Sequence, residues 1–393
     1  MSGGGAPRAW AASERGHRVL LVAGEASGDL HGADLVRALR VRVPDLEVFG
    51  LGGERLREVG METVADPRDV ATVGVTEAAG RLRALWRAYR TLARRLRDDA
   101  PDLCVLVDFP EFNLRLAHLA KRAGVPVLYY IGPQVWAWRR GRVRKIARRV
   151  DRLAVVFPFE PALYAGRLPG VEFVGHPLLD RVRVTRGREE TLRAHGLDPA
   201  RRTVLLLPGS RTTEIDYLLP RLLDAVRLLG PDGHQFALAL AHTLPADEIR
   251  QRVRAAGVDV PVLEGDTYNL IAAADLALVS SGTATLECAL LECPMVIVYR
   301  LGALTYGLGR LLVRGVSYIG MPNIIAGREI VPELLQGRAT GPHIAAAARG
   351  LLDDPARHAA TVEGLRDVRR RLGRGGAAGR AAAIAVEMLE ARP

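Results

Sequence analysis

Residues 18–39 read RVLLVAGEASGDLHGADLVRAL. An apolar run from Val19 to Ala23 is broken by Gly24, after which Leu35, Val36 and Leu39 recur at helical spacing. A short apolar run, a glycine turn and an amphipathic stretch are the sequence form of strand, turn and helix. The unit repeats, with further apolar runs at Leu46 to Phe49, Leu103 to Val107, Val125 to Tyr130 and Leu153 to Phe157. Short strand-like runs alternating with helical periods predict βαβ units on a parallel sheet.

A second series begins at Thr203, with Val204 to Leu207, Phe236 to Leu240, Val260 to Leu263, Leu276 to Val279 and Met295 to Val298. The predicted fold class is therefore α/β, with two Rossmann-like domains facing a cleft and ligands held beyond the carboxyl ends of the strands. A charged, weakly patterned stretch from Asp180 to Arg202 is the expected hinge. The expected organisation is a disordered leader over 1–16, an N-terminal domain over 17–185, a C-terminal domain over 186–365, and C-terminal helices over 366–393 that can cross back or exchange between subunits.

Composition sets outer bounds. The chain has 393 residues, enough for two domains, and its 49% hydrophobic content can fill two cores. A net charge of +11, carried almost wholly by arginine, favours anionic partners: nucleic acid, lipid headgroups or phosphorylated substrates. Cys104, Cys288 and Cys293 show no metal-ligand spacing and no evident disulfide pairing, which fits a reducing cytoplasm. No uninterrupted apolar run reaches the roughly 18 residues that a membrane span needs.

The polar residues at the strand ends carry the chemistry. After the first strand come Gly24, Glu25, Ala26, Ser27, Gly28 and Asp29, which depart from the dinucleotide fingerprint, so no nicotinamide cofactor is indicated. This loop can receive a phosphate at a helix start, or it can be a capped turn; a cap does not require Glu25. After Val107 come Asp108, Phe109, Pro110, Glu111, Phe112 and Asn113. Asp108 reads as a general base for an attacking hydroxyl, or as a loop or capping residue. After Tyr130 come Gln134, Trp136 and Trp138, then Arg139, Arg140, Arg142, Arg144 and Lys145, which read as a ligand wall with phosphate-binding cations or as a solvated basic face.

In the second half, Pro208, Gly209, Ser210 and Arg211 follow a strand and open a helix, placing a guanidinium and free backbone amides where a diphosphate would be held. The alternative is a simple cap beside a surface arginine. Val279 leads into Ser280, Ser281, Gly282, Thr283, Ala284, Thr285, Leu286 and Glu287. Small residues allow the backbone to approach phosphate oxygens, and Glu287, one turn into the helix, can accept both hydroxyls of a ribose. Two such turns in one sheet make a nucleotide-diphosphate sugar the favoured ligand.

Taken together, these blocks, with Cys293-Pro294-Met295 and the run Pro322 to Arg328, resemble the bacterial lipid-A-disaccharide synthases, inverting glycosyltransferases of the two-Rossmann-domain (GT-B) architecture. The resemblance covers about Val19 to Leu335. It implies transfer of 2,3-diacylglucosamine from its UDP derivative to 2,3-diacylglucosamine 1-phosphate, giving a β-1,6-linked disaccharide 1-phosphate and UDP. It also implies that Asp108 is the base, that Ser210, Arg211, Gly282 and Thr283 hold the diphosphate, that Glu287 contacts ribose, and that Asn323 is a further donor-site residue. Glu25 matches an important acidic position to which no role is assigned. Phe109 and Glu111 depart from residues common in the family. No cofactor and no metal are expected, because the UDP-linked sugar is a substrate and Arg211 with helix N-termini can meet the diphosphate charge.

Acylated substrates bring a membrane surface into view. Leu82, Leu85, Trp86, Tyr89, Leu92 and Leu96 fall at helical spacing, with Arg83, Arg87, Arg90 and Arg94 between them, after an apolar stretch at Val70 to Val75. A basic amphipathic helix of this kind can lie on anionic lipid, with Trp86 and Arg87 as contacts, or it can be a core-facing helix with a solvated face. The expected location is cytoplasmic and peripheral to the inner membrane, with a homodimer allowed. Competing readings are another UDP-sugar enzyme of this architecture, an epimerase or a muropeptide-building transferase, and a basic protein that binds nucleic acid or membrane without catalysis. No zinc spacing or RNA-binding signature supports nucleic acid as a partner.

Overall fold

The computed structural model describes residues 16–65, 77–136, 141–300 and 317–391. The apolar runs become strands of two parallel sheets in two compact units. In the first, β1 (Arg18–Ala23), β2 (Glu47–Leu51), β3 (Glu62–Ala65), β4 (Leu103–Val107), β5 (Val127–Tyr130), β6 (Arg152–Val155) and β7 (Val171–Phe173) lie in the order β3-β2-β1-β4-β5-β6-β7. In the second, β8 (Thr203–Leu207), β9 (Gln235–Leu240), β10 (Val262–Glu264), β11 (Leu276–Ser280), β12 (Met295–Tyr299) and β13 (Glu333–Leu335) lie in the order β10-β9-β8-β11-β12-β13. The central strands β1, β4, β8 and β11 are buried almost throughout, because helices cover both faces of a parallel sheet. That is why they read as continuous apolar runs rather than as alternating ones.

Strand order reverses direction once in each sheet, between β1 and β4 and between β8 and β11. At such a point the two flanking crossovers leave in opposite directions and open a crevice beyond the strands' carboxyl ends. Register decides which residues meet there. Ala23 pairs with Val107, and Val107 with Tyr130, so Gly24, Asp108 and Ile131 leave the first sheet in one row. Leu207 pairs with Val279, so Pro208 leaves the second sheet beside Ser280, the last residue of β11.

The C-terminal helices do not form a separate body. Helix Pro355–Arg371 belongs to the second unit, where Arg366 pairs with Glu292 at 2.7 Å and Arg371 donates to the Ile325 carbonyl at 3.1 Å. Residues 376–391 belong to the first unit, where helix Ala377–Glu390 packs on helix Ala26–Arg42 and Arg380 donates to the Val174 carbonyl at 2.9 Å. Crossing back was one of the two outcomes open in the sequence.

The expected hinge carries helix Arg188–Ala194, and from Leu178 onward it groups with the second unit. Arg188 holds it there by pairing with Asp275 at 2.8 Å and donating to the Ala273 carbonyl. A charged stretch with weak patterning looks like a linker because its attachments are made by side chains rather than by an apolar face.

Ala385 is fully buried on the helix that packs against Ala26–Arg42. Ala385→Asp places an unpaired carboxylate there and should lower the unfolding free energy by about 3 kcal/mol, read by urea denaturation.

Candidate active site

In the first unit the row beyond β1, β4 and β5 brings two carboxylates together. Glu25 lies at the start of helix Ala26–Arg42 but makes no side-chain capping bond, so its carboxylate is not committed to the helix. Asp108 and Phe109 both adopt left-handed backbone, with φ of 45° and 48°. For residues with side chains such conformations cost about 1–3 kcal/mol each and persist only where the surroundings enforce them. Here the Asp108 carbonyl accepts from the Tyr129 hydroxyl at 2.6 Å and from Asn113 Nδ2 at 2.7 Å, and Asn113 Nδ2 also donates to the Val107 carbonyl at 3.2 Å. Gly24 completes the turn, since a Cβ there would lie 2.1 Å from the Phe109 ring.

Electrostatics then sets the proton affinity. Burial raises the Asp108 pKa from its ordinary 3.8 to about 6, the negative charge of Glu25 pushes the same way, and a backbone hydrogen bond from Phe109 opposes both. A carboxylate with a pKa just below neutral is ionised at pH 7 yet binds a proton far more readily than a surface aspartate. Glu111 has a different use, pairing with Arg142.

An aromatic run leads out from this turn. Phe109 stacks on Phe112 at 5.5 Å, Phe112 meets the edge of Tyr89 at 5.8 Å, and Tyr89 stacks on Trp86 at 5.6 Å. Trp86, 56% exposed, lies on helix Glu77–Asp98 with Arg83, Arg87 and Arg90 also exposed. Leu92 and Leu96 of that helix are buried in the core, so the core-facing and the solvent-facing readings each describe one of its faces. Trp136 is buried at 8% exposure rather than presented as an open wall. Trp138, Arg139 and the stretch Val70 to Val75 lie outside the described residues.

The second unit contains a cavity of about 690 Å³, lined by Gly209, Ser210, Arg211, Gly282, Thr283 and Glu287 among others. Gly209 has φ 117°, and a Cβ there would lie 2.2 Å from Glu214 Oε2. That closeness lets Glu214 accept from the Ser210 amide at 2.9 Å, from the Arg211 amide at 3.4 Å and from Arg211 Nη1 at 3.1 Å, so one carboxylate ties the turn to the start of helix Thr212–Leu229. The Arg211 side chain remains 78% exposed on the cavity wall. Gly282 is different: its φ of 170° is ordinary extended backbone, and a Cβ would meet nothing within 4 Å. Neither backbone nor packing requires glycine there, and directly after it helix Thr283–Leu290 begins, its Thr285 amide bonded to the Gly282 carbonyl at 3.1 Å. Glu287 is held by the Tyr268 hydroxyl at 3.3 Å, and burial raises its pKa while that bond lowers it.

Asn323 is not on the cavity lining. It is fully buried, donating to the Val331 carbonyl and to Glu333 Oε1, both at 2.8 Å, and accepting from the amides of Ile330 and Val331. All four of its hydrogen bonds go to residues 330, 331 and 333. Conversely, Arg183, Thr185, His242, Tyr268 and Asn269 line the cavity without having been singled out in the sequence. The Gly265-Asp266 turn after a short apolar run was the available signal. Among the described residues no group of three or more His, Cys, Asp and Glu side chains could hold a metal ion.

Two parallel sheets, each with its polar motif beyond a strand-order reversal, define a two-Rossmann-domain α/β protein. Solved structures agree on the fold: a putative UDP-N-acetylglucosamine 2-epimerase from Listeria monocytogenes has a TM-score of 0.64 at 14% identity over 96% of this chain and 98% of its own. A calicheamicin glycosyltransferase has a TM-score of 0.62 at 15% identity over 96% and 100%. Sequence decides further. The family model for lipid-A-disaccharide synthetase matches residues 19–385, and this chain belongs to that family. The lipid-A-disaccharide synthase of Geobacter sulfurreducens is 50% identical over 95% of this chain and 97% of its own, and that of Myxococcus xanthus 43% over 95% and 97%. The chain is a glycosyltransferase of lipid A biosynthesis.

Asp108 ionisation should appear in the pH profile. Activity limited by its carboxylate should fall below about pH 6. Glu25→Gln removes a negative charge that raises this pKa, so the acid limb should move to lower pH; an unmoved limb would dissociate the two groups. Folding raises the Asp108 pKa, so its contribution to stability is lost as pH climbs from about 4 to about 6. Asp108→Asn should therefore be at least as stable as the parent at pH 8, measured by thermal unfolding.

Proposed function

We propose that the chain transfers 2,3-diacylglucosamine from UDP-2,3-diacylglucosamine to 2,3-diacylglucosamine 1-phosphate. The acceptor's 6-hydroxyl attacks the anomeric carbon and its proton passes to Asp108. The anomeric carbon–oxygen bond to the diphosphate breaks, and its electron pair leaves with UDP. Attack opposite the leaving group inverts the anomeric centre and gives the β-1,6 disaccharide 1-phosphate. The observation that carries this reading is the raised, Glu25-flanked carboxylate of Asp108 at the carboxyl edge of one sheet, with a cavity built from Arg211, Gly282, Thr283 and Glu287 at the corresponding edge of the other.

Each group has a defined task. Arg211, the Ser210 turn and the amides around Gly282 and Thr283 stabilise the charge that develops on the diphosphate, so the leaving group needs no protonation. Glu287, oriented by Tyr268, accepts from the ribose hydroxyls. Glu25 keeps Asp108 basic. No cofactor enters this scheme, and turnover should survive EDTA. With both purified substrates and EDTA present, Asp108→Ala should lower kcat by about 10²–10⁴-fold. Arg211→Ala should lower kcat about 10²–10³-fold. Normal turnover by Asp108→Ala would remove it as the base.

The acylated substrates are proposed to be met at an anionic membrane surface by helix Glu77–Asp98. Exposed Trp86 and its arginines support this, as does the run of rings through Tyr89 and Phe112 to Phe109 beside Asp108. Among the described residues no helix is long and apolar enough to cross a membrane. Peripheral association with the inner membrane from the cytoplasmic side and homodimer formation are parts of this proposal. Combined replacement of Trp86, Arg87 and Tyr89 by serine should abolish flotation with anionic liposomes; unchanged flotation would exclude this face.

A further inference from the structure

The second unit's cavity has a region for which the transfer chemistry gives no task. With diphosphate at the Gly209 and Gly282 turns and ribose at Glu287, the next group of a bound nucleotide reaches the wall that Tyr268 joins to Glu287. Arg183, Thr185, Gly265, Asp266 and Thr267 complete that wall. Residues 182–187 have no helix or strand to fix them. An irregular segment keeps one position only where its backbone groups find fixed partners.

Asn269 supplies those partners. It is 6% exposed, and its Oδ1 accepts from the amides of Thr185 at 2.8 Å and Arg186 at 3.2 Å. Its Nδ2 donates to Thr185 Oγ1 at 2.9 Å and to Asp266 Oδ1 at 2.6 Å. All four hydrogen bonds of the carboxamide are thereby spent joining two wall segments. Asp266 is fixed in turn by His195 Nε2 at 2.7 Å and by the Arg186 guanidinium, so both ends of the clip are anchored.

We propose that Asn269 is a positioning residue that sets nucleobase selectivity, by holding residues 183–186 as a rigid wall against the base of the donor nucleotide. This rests on reading the cavity as the UDP site. A segment held by three hydrogen bonds to one buried side chain, itself tied by a fourth to Asp266, cannot adjust to a base of another shape, whereas a released one can. Neither the diphosphate turns nor Glu287 bonds to the Asn269 carboxamide, so its loss falls first on the base.

Isothermal titration of the full chain with UDP, ADP and inorganic pyrophosphate tests this without relying on turnover. The parent should prefer UDP to ADP. Asn269→Ala should bind UDP about tenfold more weakly, on the scale expected from losing a buried hydrogen-bonded brace, with ADP and pyrophosphate unchanged, so the preference narrows. Equal weakening of all three ligands would show a merely structural brace and overturn the proposal, as would an unchanged preference. Failure of the parent to bind UDP would instead overturn the donor-site reading itself. Should Asn269→Ala not fold, Thr185→Val, which removes only the hydroxyl link, should narrow the preference while Thr185→Ser retains it; identical behaviour of the two would overturn the proposal.

Discussion

Parallel pairing at two strand-order reversals is the constraint on which the rest of this protein depends. Right-handed crossovers force the helices after β1 and β4, and those after β8 and β11, to opposite sides of their sheets. What remains open beyond those strand ends is the only part of a doubly covered sheet where polar backbone and side chains can meet a ligand. Glu25 and Asp108 stand beyond one reversal, and Arg211 and Gly282 beyond the other.

Several carboxylates in these units are parts of turns and helix starts. Asp29 accepts from the amides of Gly53, Arg55 and Leu56, Glu214 accepts from Ser210, and Glu333 from Ile319 and Gly320. Each is a fixed part of a turn or helix start, where several donors compensate its burial. For Asp108 burial and the charge of Glu25 beside it outweigh one backbone hydrogen bond from Phe109, which is why its proton affinity rises. Two consecutive left-handed residues add strain to the same turn, and Tyr129 and Asn113 hold the Asp108 backbone in place through its carbonyl. A folded chain that spends stability at one turn in this way has generally acquired a function there.

Much of this was legible before any fold was known. The apolar runs gave the central strands, because a strand buried on both faces must be apolar along its length. Motifs after Ala23, Val107, Leu207 and Val279 pointed to the ligand edge, because polar residues directly after such runs have only the sheet's end to occupy. The segment Asp180 to Arg202 was less legible, since Arg188 and Asn269 attach it through side chains that leave no periodic mark. Asn323 entered through the resemblance alone, and its four hydrogen bonds to residues 330, 331 and 333 show a structural task that no local pattern marks.

Local sequence thus determined the elements, the residue types at their ends and the kind of chemistry those residues allow, because strand and helix periods are set by neighbours a few positions apart. Tertiary structure alone decided that Glu25 stands beside Asp108, that Tyr268 holds Glu287, and that the last helix returns to the first unit. These depend on strand order, register and burial, and a proton affinity or a clipped loop depends on charges and donors brought from far along the chain. No local pattern encodes them, because burial is a property of the packed whole.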